Sequence, residues 1–252
     1  MPRQAREKSE SEIYHLMLRG INKQNIFEDE EDKKRFLETL EYYRRKSGYL
    51  LYGYCLMNNH IHLLIKEKNE SISELIKRIS SSYVYWYNQK YERCGHLFQE
   101  RFKSEVVETQ AYFLMVLRYI HKNPVKAGIT QDASKYLWSS YQDYVRTSGI
   151  TDIDFALDIF SSDRIKAVKL FADYTNEKNA DECLEYTERA AVSDKEIMKY
   201  LNERGIRTVS QLQRLNKDQR DDLIRKMKEI EGITIRQLAR MIGISKSVID
   251  RL

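Results

Sequence analysis

Cys55-Leu-Met-Asn-Asn-His-Ile-His-Leu-Leu-Ile65 is the stretch on which the fold turns. Two short β-rich runs, 49–57 and 60–65, meet at Asn58-Asn59. An asparagine pair between such runs signals a hairpin, because Asn tolerates the positive φ of a tight turn. Alternation in the second run is clean. Ile61, Leu63 and Ile65 share one side of the strand, while His60, His62 and Leu64 share the other, since residues two apart point to the same face. The first set belongs on a core. The second carries two imidazoles close enough to converge on one ion. An HxH pair is as often structural as metal-binding, and two imidazoles do not complete a hydrolytic metal site. A third ligand has to come from another element.

Working outward, residues 12–19 read as a strand and Gly20–Asn25 as a loop. Residues 29–47 place Phe36, Leu37, Leu40 and Tyr43 at helical spacing, with Gly48 as the stop. Downstream, Ser71-x-x-Glu74 is a capping box for a helix with Ile72, Leu75, Ile76, Ile79 and Tyr83 on one side. Gly95 breaks the chain, and a strand-like segment runs to Val107. A further helix starts near Thr109 and is expected to end by Asn123, because Pro124 disfavours helical geometry in the residue before it. Strand, helix, strand, strand, helix, strand is the split βαβ, or ferredoxin-like, α+β pattern, here with an extra helix behind.

That extra helix supplies chemistry. Phe113, Val116, Leu117 and Ile120 form its apolar stripe. Tyr119 and Asn123, four apart, lie one above the other beside the stripe, with Tyr112 on the same flank. A tyrosine can act as a covalent nucleophile, and a divalent metal can polarise a phosphate for it.

Composition narrows the field without deciding it. The chain has 252 residues, 42% hydrophobic and 32% charged, with nine Gly and two Pro, which describes one substantial core plus a smaller module. Its net charge of +5 suits a nucleic-acid partner but does not require one. Tyrosine is in excess, 18 against 8 Phe, and packing accounts for most of it, with base stacking the other use of such rings. Cys55, Cys94 and Cys183 form no CxxC pair, so neither a zinc ribbon nor a disulfide framework is indicated. The charged N-terminus lacks the apolar run of a signal peptide, and no stretch is long enough to span a membrane; a cytoplasmic location is expected.

Residues 145–190 read as a polar helical connector. From Ser193-x-x-Glu196, another capping box, three or four short helices are expected. The last stretch, Thr234–Leu252, has Ala239 where two helices would cross, Gly243 at the turn, and Ile249 and Leu252 as anchors. This is the helix-turn-helix order, which places Ser245, Lys246 and Arg251 on the DNA side. A generic helical bundle is the other reading.

Four blocks in order, Tyr14-His-Leu-Met-Leu-Arg-Gly20, Cys55–His62, Gly95-His-Leu-Phe-Gln-Glu-Arg-Phe-Lys103 and Arg118-Tyr-Ile-His-Lys-Asn-Pro-Val-Lys-Ala-Gly128, resemble the HUH single-tyrosine transposases. They are closest to the branch associated with repetitive extragenic palindromes. The resemblance implies a nuclease domain over residues 1–145 that works on single-stranded hairpin DNA. It implies a 5′-phosphotyrosine link, a free 3′-hydroxyl, and Mg²⁺ or Mn²⁺ on two histidines and a third polar side chain. By position, His60 and His62 match the metal pair and Tyr119 the nucleophile. Asn123 stands where relatives often carry the longer glutamine. His121 is an alternative ligand, but it points about 200° round the helix from Tyr119. Arg19, Asn22, Lys23, Arg101 and Lys103 match blocks expected to grip DNA phosphates. The basic arm Arg3, Arg6 and Lys8 could reach along DNA. In some relatives a dimer exchanges the tyrosine helix. The expected organisation is thus 1–145 nuclease, 146–192 connector and 193–252 DNA-binding, with duplex DNA as the expected partner of the last. The competing readings are a non-catalytic DNA-binding regulator and a metal-dependent hydrolase of small substrates. No acidic cluster or phosphate-cradling glycine loop favours the latter.

Overall fold

The computed structural model describes residues 6–185, 192–230 and 232–252; Arg3 of the basic arm lies outside them. The chain divides into two compact units, residues 1–185 and 186–252.

In the first unit β1 (Ile13–Arg19), α1 (Glu30–Ser47), β2 (Leu50–Leu56), β3 (His60–Lys66), α2 (Ile72–Lys90) and β4 (Lys103–Val106) build a four-stranded sheet of order β2-β3-β1-β4. Every pairing is antiparallel, so the split βαβ expectation holds. The strand expected after Gly95 begins only at Lys103. Residues before it dock as irregular chain, with Gln99 N–H donating to Arg19 O at 2.7 Å.

The β1–β3 register sets His15 opposite Leu64, Met17 opposite His62 and Arg19 opposite His60. Across β1–β4, His15 faces Glu105 and Met17 faces Lys103. Directly opposed residues share a face, so the sheet has two unlike sides. Under α1 and α2 lie Tyr14, Leu16, Leu18, Ile61, Leu63 and Ile65, all buried. The other side carries Ile13, Leu64, Cys55 and Tyr52 beneath α3 (Gln110–Lys126), whose Phe113, Val116, Leu117 and Ile120 are buried as the spacing requires. Most tyrosines are packing residues. Tyr49, Tyr83, Tyr136 and Tyr144 are buried and donate their hydroxyls to backbone carbonyls.

Contrary to expectation, α3 passes through Pro124 and ends at Lys126. Proline costs a helix one N–H···O bond and a ring clash, but here it falls in the last turn, where little helix remains to disturb. Gly128 (φ 70) then closes the end: its N–H donates to Val125 O at 3.0 Å and Ile129 N–H to Pro124 O at 2.9 Å. These are the two bonds of a Schellman cap. Helices α4 (Tyr141–Arg146), α5 (Asp154–Phe160) and α6 (Arg164–Asn176) pack behind α3 within the same unit.

Among its described residues the second unit has five short helices rather than three or four: α7 (Asp194–Asn202), α8 (Val209–Arg214), α9 (Lys217–Glu229), α10 (Ile235–Ile242) and α11 (Lys246–Arg251). The Ser193–Glu196 capping box forms in both directions. Ile197, Leu201, Leu212, Ile224, Met227, Leu238, Ile242 and Ile249 make a separate core. Gly243 (φ 67) ends α10 and turns the chain into α11, a conformation that a side chain would strain.

Candidate active site

His60 and His62 lie two apart on β3 and face α3. Their rings stand 5.2 Å apart and nearly perpendicular. Tyr119 lies over them with its ring edge-on to His62 at 5.6 Å. Asn123, one turn on, brings its Oδ1 to 3.2 Å from His60 Nε2. The shorter amide therefore reaches. Extension of α3 through Pro124 keeps Asn123 on a helical turn, aligned with Tyr119.

Burial governs the electrostatics. His62 is held far below the ordinary imidazole range by burial, with His15, His60 and Lys126 adding to it. His60 is lowered by burial and by Arg19, against Asn123 and Glu185. Both rings are therefore neutral at neutral pH, the form whose lone pair can bind a metal. Burial and the neighbouring Glu185 carboxylate raise Tyr119, which stays a phenol.

Two imidazole nitrogens and an amide oxygen form a mixed donor set that a divalent cation can accept. Two ligands on adjacent corners of an octahedron with bonds of about 2.1 Å stand about 3 Å apart. The His60–Asn123 separation of 3.2 Å matches that spacing. Among the described residues no group of three or more His, Cys, Asp or Glu is placed to hold one metal ion, which leaves the Asn123 amide as a candidate third donor beside the two histidines.

The remaining expected residues divide. Arg19 faces His60 across the ladder and Lys103 faces Met17, so both lie on the site's side of the sheet. Asn22 and Lys23 are exposed in a left-handed turn. That turn abuts the hairpin tip, where Asn59 Nδ2 donates to Lys23 O at 3.4 Å. Arg101 lines a cleft of about 460 Å³ against α2 together with Arg6, Phe98 and Phe102, a cleft that Arg19 also borders. Arg6 is fixed there, bonded to Ser73 and Phe102 O and stacked 3.7 Å over the Phe102 ring. His121 points away from the site, fully buried, with Nε2 2.8 Å from Ser140 Oγ. Ser245, Lys246 and Arg251 are exposed at α11 in the second unit.

Three contributors carry no signal in sequence. His15 Nε2 lies 3.0 Å from His62 Nδ1. Lys126 sits 5.2 Å over the Tyr119 ring. Glu185 accepts from the Tyr119 hydroxyl at 2.8 Å and from Lys126 at 2.6 Å. Glu185 belongs to a strap that includes residues 177–185 and is laid across α3. Arg118 grips Asp181 with Nε and Nη2 (2.7 and 2.9 Å), and Lys122 donates to Glu177 O at 2.7 Å. Leu184 N–H donates to Glu105 at 3.2 Å and Lys103 to Glu185 O at 3.3 Å. Under this strap Tyr119 is only 4% exposed.

A sheet of this order with an added helix across its histidine-bearing side defines the class first. The first unit has the α+β fold of a solved structure described as the REP-associated tyrosine transposase bound to a REP hairpin. The TM-score is 0.51 at 15% identity, covering 61% of this chain and 96% of that one. Residues 8–123 match the model of the family described as Transposase IS200 like. Over that stretch the first unit is similar to the IS200-like transposases. No curated protein matches the sequence. Among the described residues no helix is long and apolar enough to cross a membrane.

Proposed function

We propose that the first unit cuts single-stranded DNA folded as a hairpin, with Tyr119 as nucleophile and Mg²⁺ or Mn²⁺ held by His60, His62 and Asn123. The observation that carries this reading is the convergence on one side of one sheet of two neutral imidazoles, an amide 3.2 Å from one of them and a tyrosine ring against the other. The DNA-hairpin partner is suggested by the solved relative. A bound divalent cation would polarise the scissile phosphate.

The chain's own residues do the rest. Arg19 and Lys103, on the site's side of the sheet, grip the flanking phosphates. Tyr119 is held as a phenol, so its oxygen needs a proton acceptor as it attacks phosphorus. The Glu185 carboxylate, 2.8 Å away, takes that proton. The bond from phosphorus to the 3′-oxygen breaks as the tyrosine–phosphorus bond forms. The 3′-oxygen leaves with a proton from water, giving a 5′-phosphotyrosine and a free 3′-hydroxyl.

In the second unit, α10, the Gly243 turn and α11 would seat Ser245, Lys246 and Arg251 against duplex DNA. That unit's independent core also favours a second reading, a regulator that binds DNA without cutting it.

The deciding experiment incubates labelled hairpin DNA and Mn²⁺ with the protein and with Tyr119→Phe. A metal-dependent covalent adduct is expected from the first and none from the second. An adduct undiminished in Tyr119→Phe removes the nucleophile assignment, and sequence-specific duplex binding without any adduct favours the regulator.

A further inference from the structure

His15 is completely buried, yet it is not an isolated core residue. It sits diagonally across the β1–β3 ladder from His62, and its Nε2 is 3.0 Å from His62 Nδ1. On its far side Nδ1 is buried without a hydrogen-bond partner and points toward Glu105 Oε2 at 3.6 Å. Glu105 is delivered by register, directly opposite His15 on β4. The His15 ring holds the Glu105 carboxyl below the usual range, with Tyr112 and the Leu184 N–H adding to it. Glu105 is therefore a carboxylate at neutral pH.

A contact between two neutral imidazoles carries one proton, which has two possible homes. If it sat on His15 Nε2, His15 Nδ1 would aim a lone pair at the Glu105 carboxylate. His62 would then carry its own proton on Nε2 and have no lone pair there. If it sits on His62 Nδ1, His15 Nε2 accepts it and His15 carries its proton on Nδ1, facing the carboxylate. The charge of Glu105 favours the second arrangement, and only that one leaves His62 Nε2 free to bind a cation. Outer partners of metal-binding histidines fix the tautomer in this way.

We propose that Glu105 and His15 are positioning residues that hold the His62 proton on Nδ1 and so present Nε2 as a ligand to a divalent cation. The inference rests on the reading of His62 as a metal ligand.

Two measurements on the full chain at pH 7.5 test it. The first is long-range ¹H–¹⁵N NMR of the histidine rings in metal-free wild type, where His62 is expected protonated at Nδ1. Protonation at Nε2 overturns the proposal without any variant. The second is Mn²⁺ affinity by calorimetry or EPR for wild type, His15→Leu, His15→Gln, Glu105→Gln and His62→Ala, each shown to be folded. His15→Leu has no acceptor for the His62 proton and is expected to bind 10- to 100-fold more weakly, roughly the loss typical of outer-partner removal. His15→Gln can still accept through its amide oxygen and is expected to recover most of that loss, with Glu105→Gln intermediate. If His62→Ala loses Mn²⁺ while His15→Leu binds like wild type, the relay falls and the metal reading stands. If His62→Ala binds like wild type, the metal reading falls and takes the relay with it.

Discussion

The two sides of the sheet follow the same alternation and have opposite contents. Beneath α1 and α2, every inward residue of β1 and β3 is aliphatic or tyrosine. Beneath α3, the same strands present Ile13, Leu64 and Met17 interspersed with His15, Arg19, His60 and His62. One side is built to exclude water. The other mixes nitrogen-bearing side chains into its core. Chemistry and stability are thereby assigned to alternate residues of single strands, so neighbouring substitutions should separate them.

The largest effect is expected on the closed side. Leu63→Ala leaves a cavity under α2 and should cost about 2–5 kcal/mol in urea unfolding. Mn²⁺ affinity of the folded protein should not change. A loss of metal affinity in that variant would break the division between the sides. His60→Ala on the open side is the converse. It should shift the unfolding free energy by less than about 1 kcal/mol while abolishing metal-dependent adduct formation.

A middle-sized effect concerns pH. Four of the five histidines, His15, His60, His62 and His121, lie on the α3 side and are lowered by burial, His121 to about 3. In the unfolded chain each titrates near about 6.5. Below that pH the unfolded state takes up protons that the folded state refuses. The stability these residues contribute is thus complete above about pH 6.5 and lost as pH falls. The slope is at most about 1.4 kcal/mol per pH unit for each histidine. Urea unfolding at pH 7.5, 6.5 and 5.5 measures it, and a flat profile would contradict the burial of these rings. The smallest effect is at the start of the helix that crosses the open side. Thr109 Oγ1 accepts from Tyr112 N–H at 3.2 Å, so Thr109→Ala should cost about 1 kcal/mol and leave the adduct yield of folded protein intact.

Much of this was legible in the sequence, because alternation on β3 and the i, i+4 spacing of Tyr119 and Asn123 are local patterns. What was not legible has physical causes. Pro124 reads as a helix stop, and the signal that overrides it is Gly128, whose cap makes a last proline-containing turn affordable. His15, alternating with aliphatics on β1, looks like any core position until β3 and β4 are laid beside it in register. Glu185 reaches Tyr119 across 66 residues of chain, and no periodicity records such a contact. The placement of Arg101 was not legible either. Two residues from Lys103 in sequence, it lines the cleft against α2, because the chain before β4 is irregular and does not keep the strand's alternation.

The strap over α3 has a kinetic meaning. A phenol that is 4% exposed under residues 177–184 meets a phosphodiester only once that stretch lifts, with Glu185 still within reach of its proton. On the proposed reading, turnover would then contain an opening equilibrium as well as a chemical step. Its latch is largely ionic, Arg118 to Asp181 and Lys126 to Glu185. A polyanionic strand competes for the same cations, so DNA would act as the key to the tyrosine it is cut by, and free protein would keep its nucleophile covered between encounters.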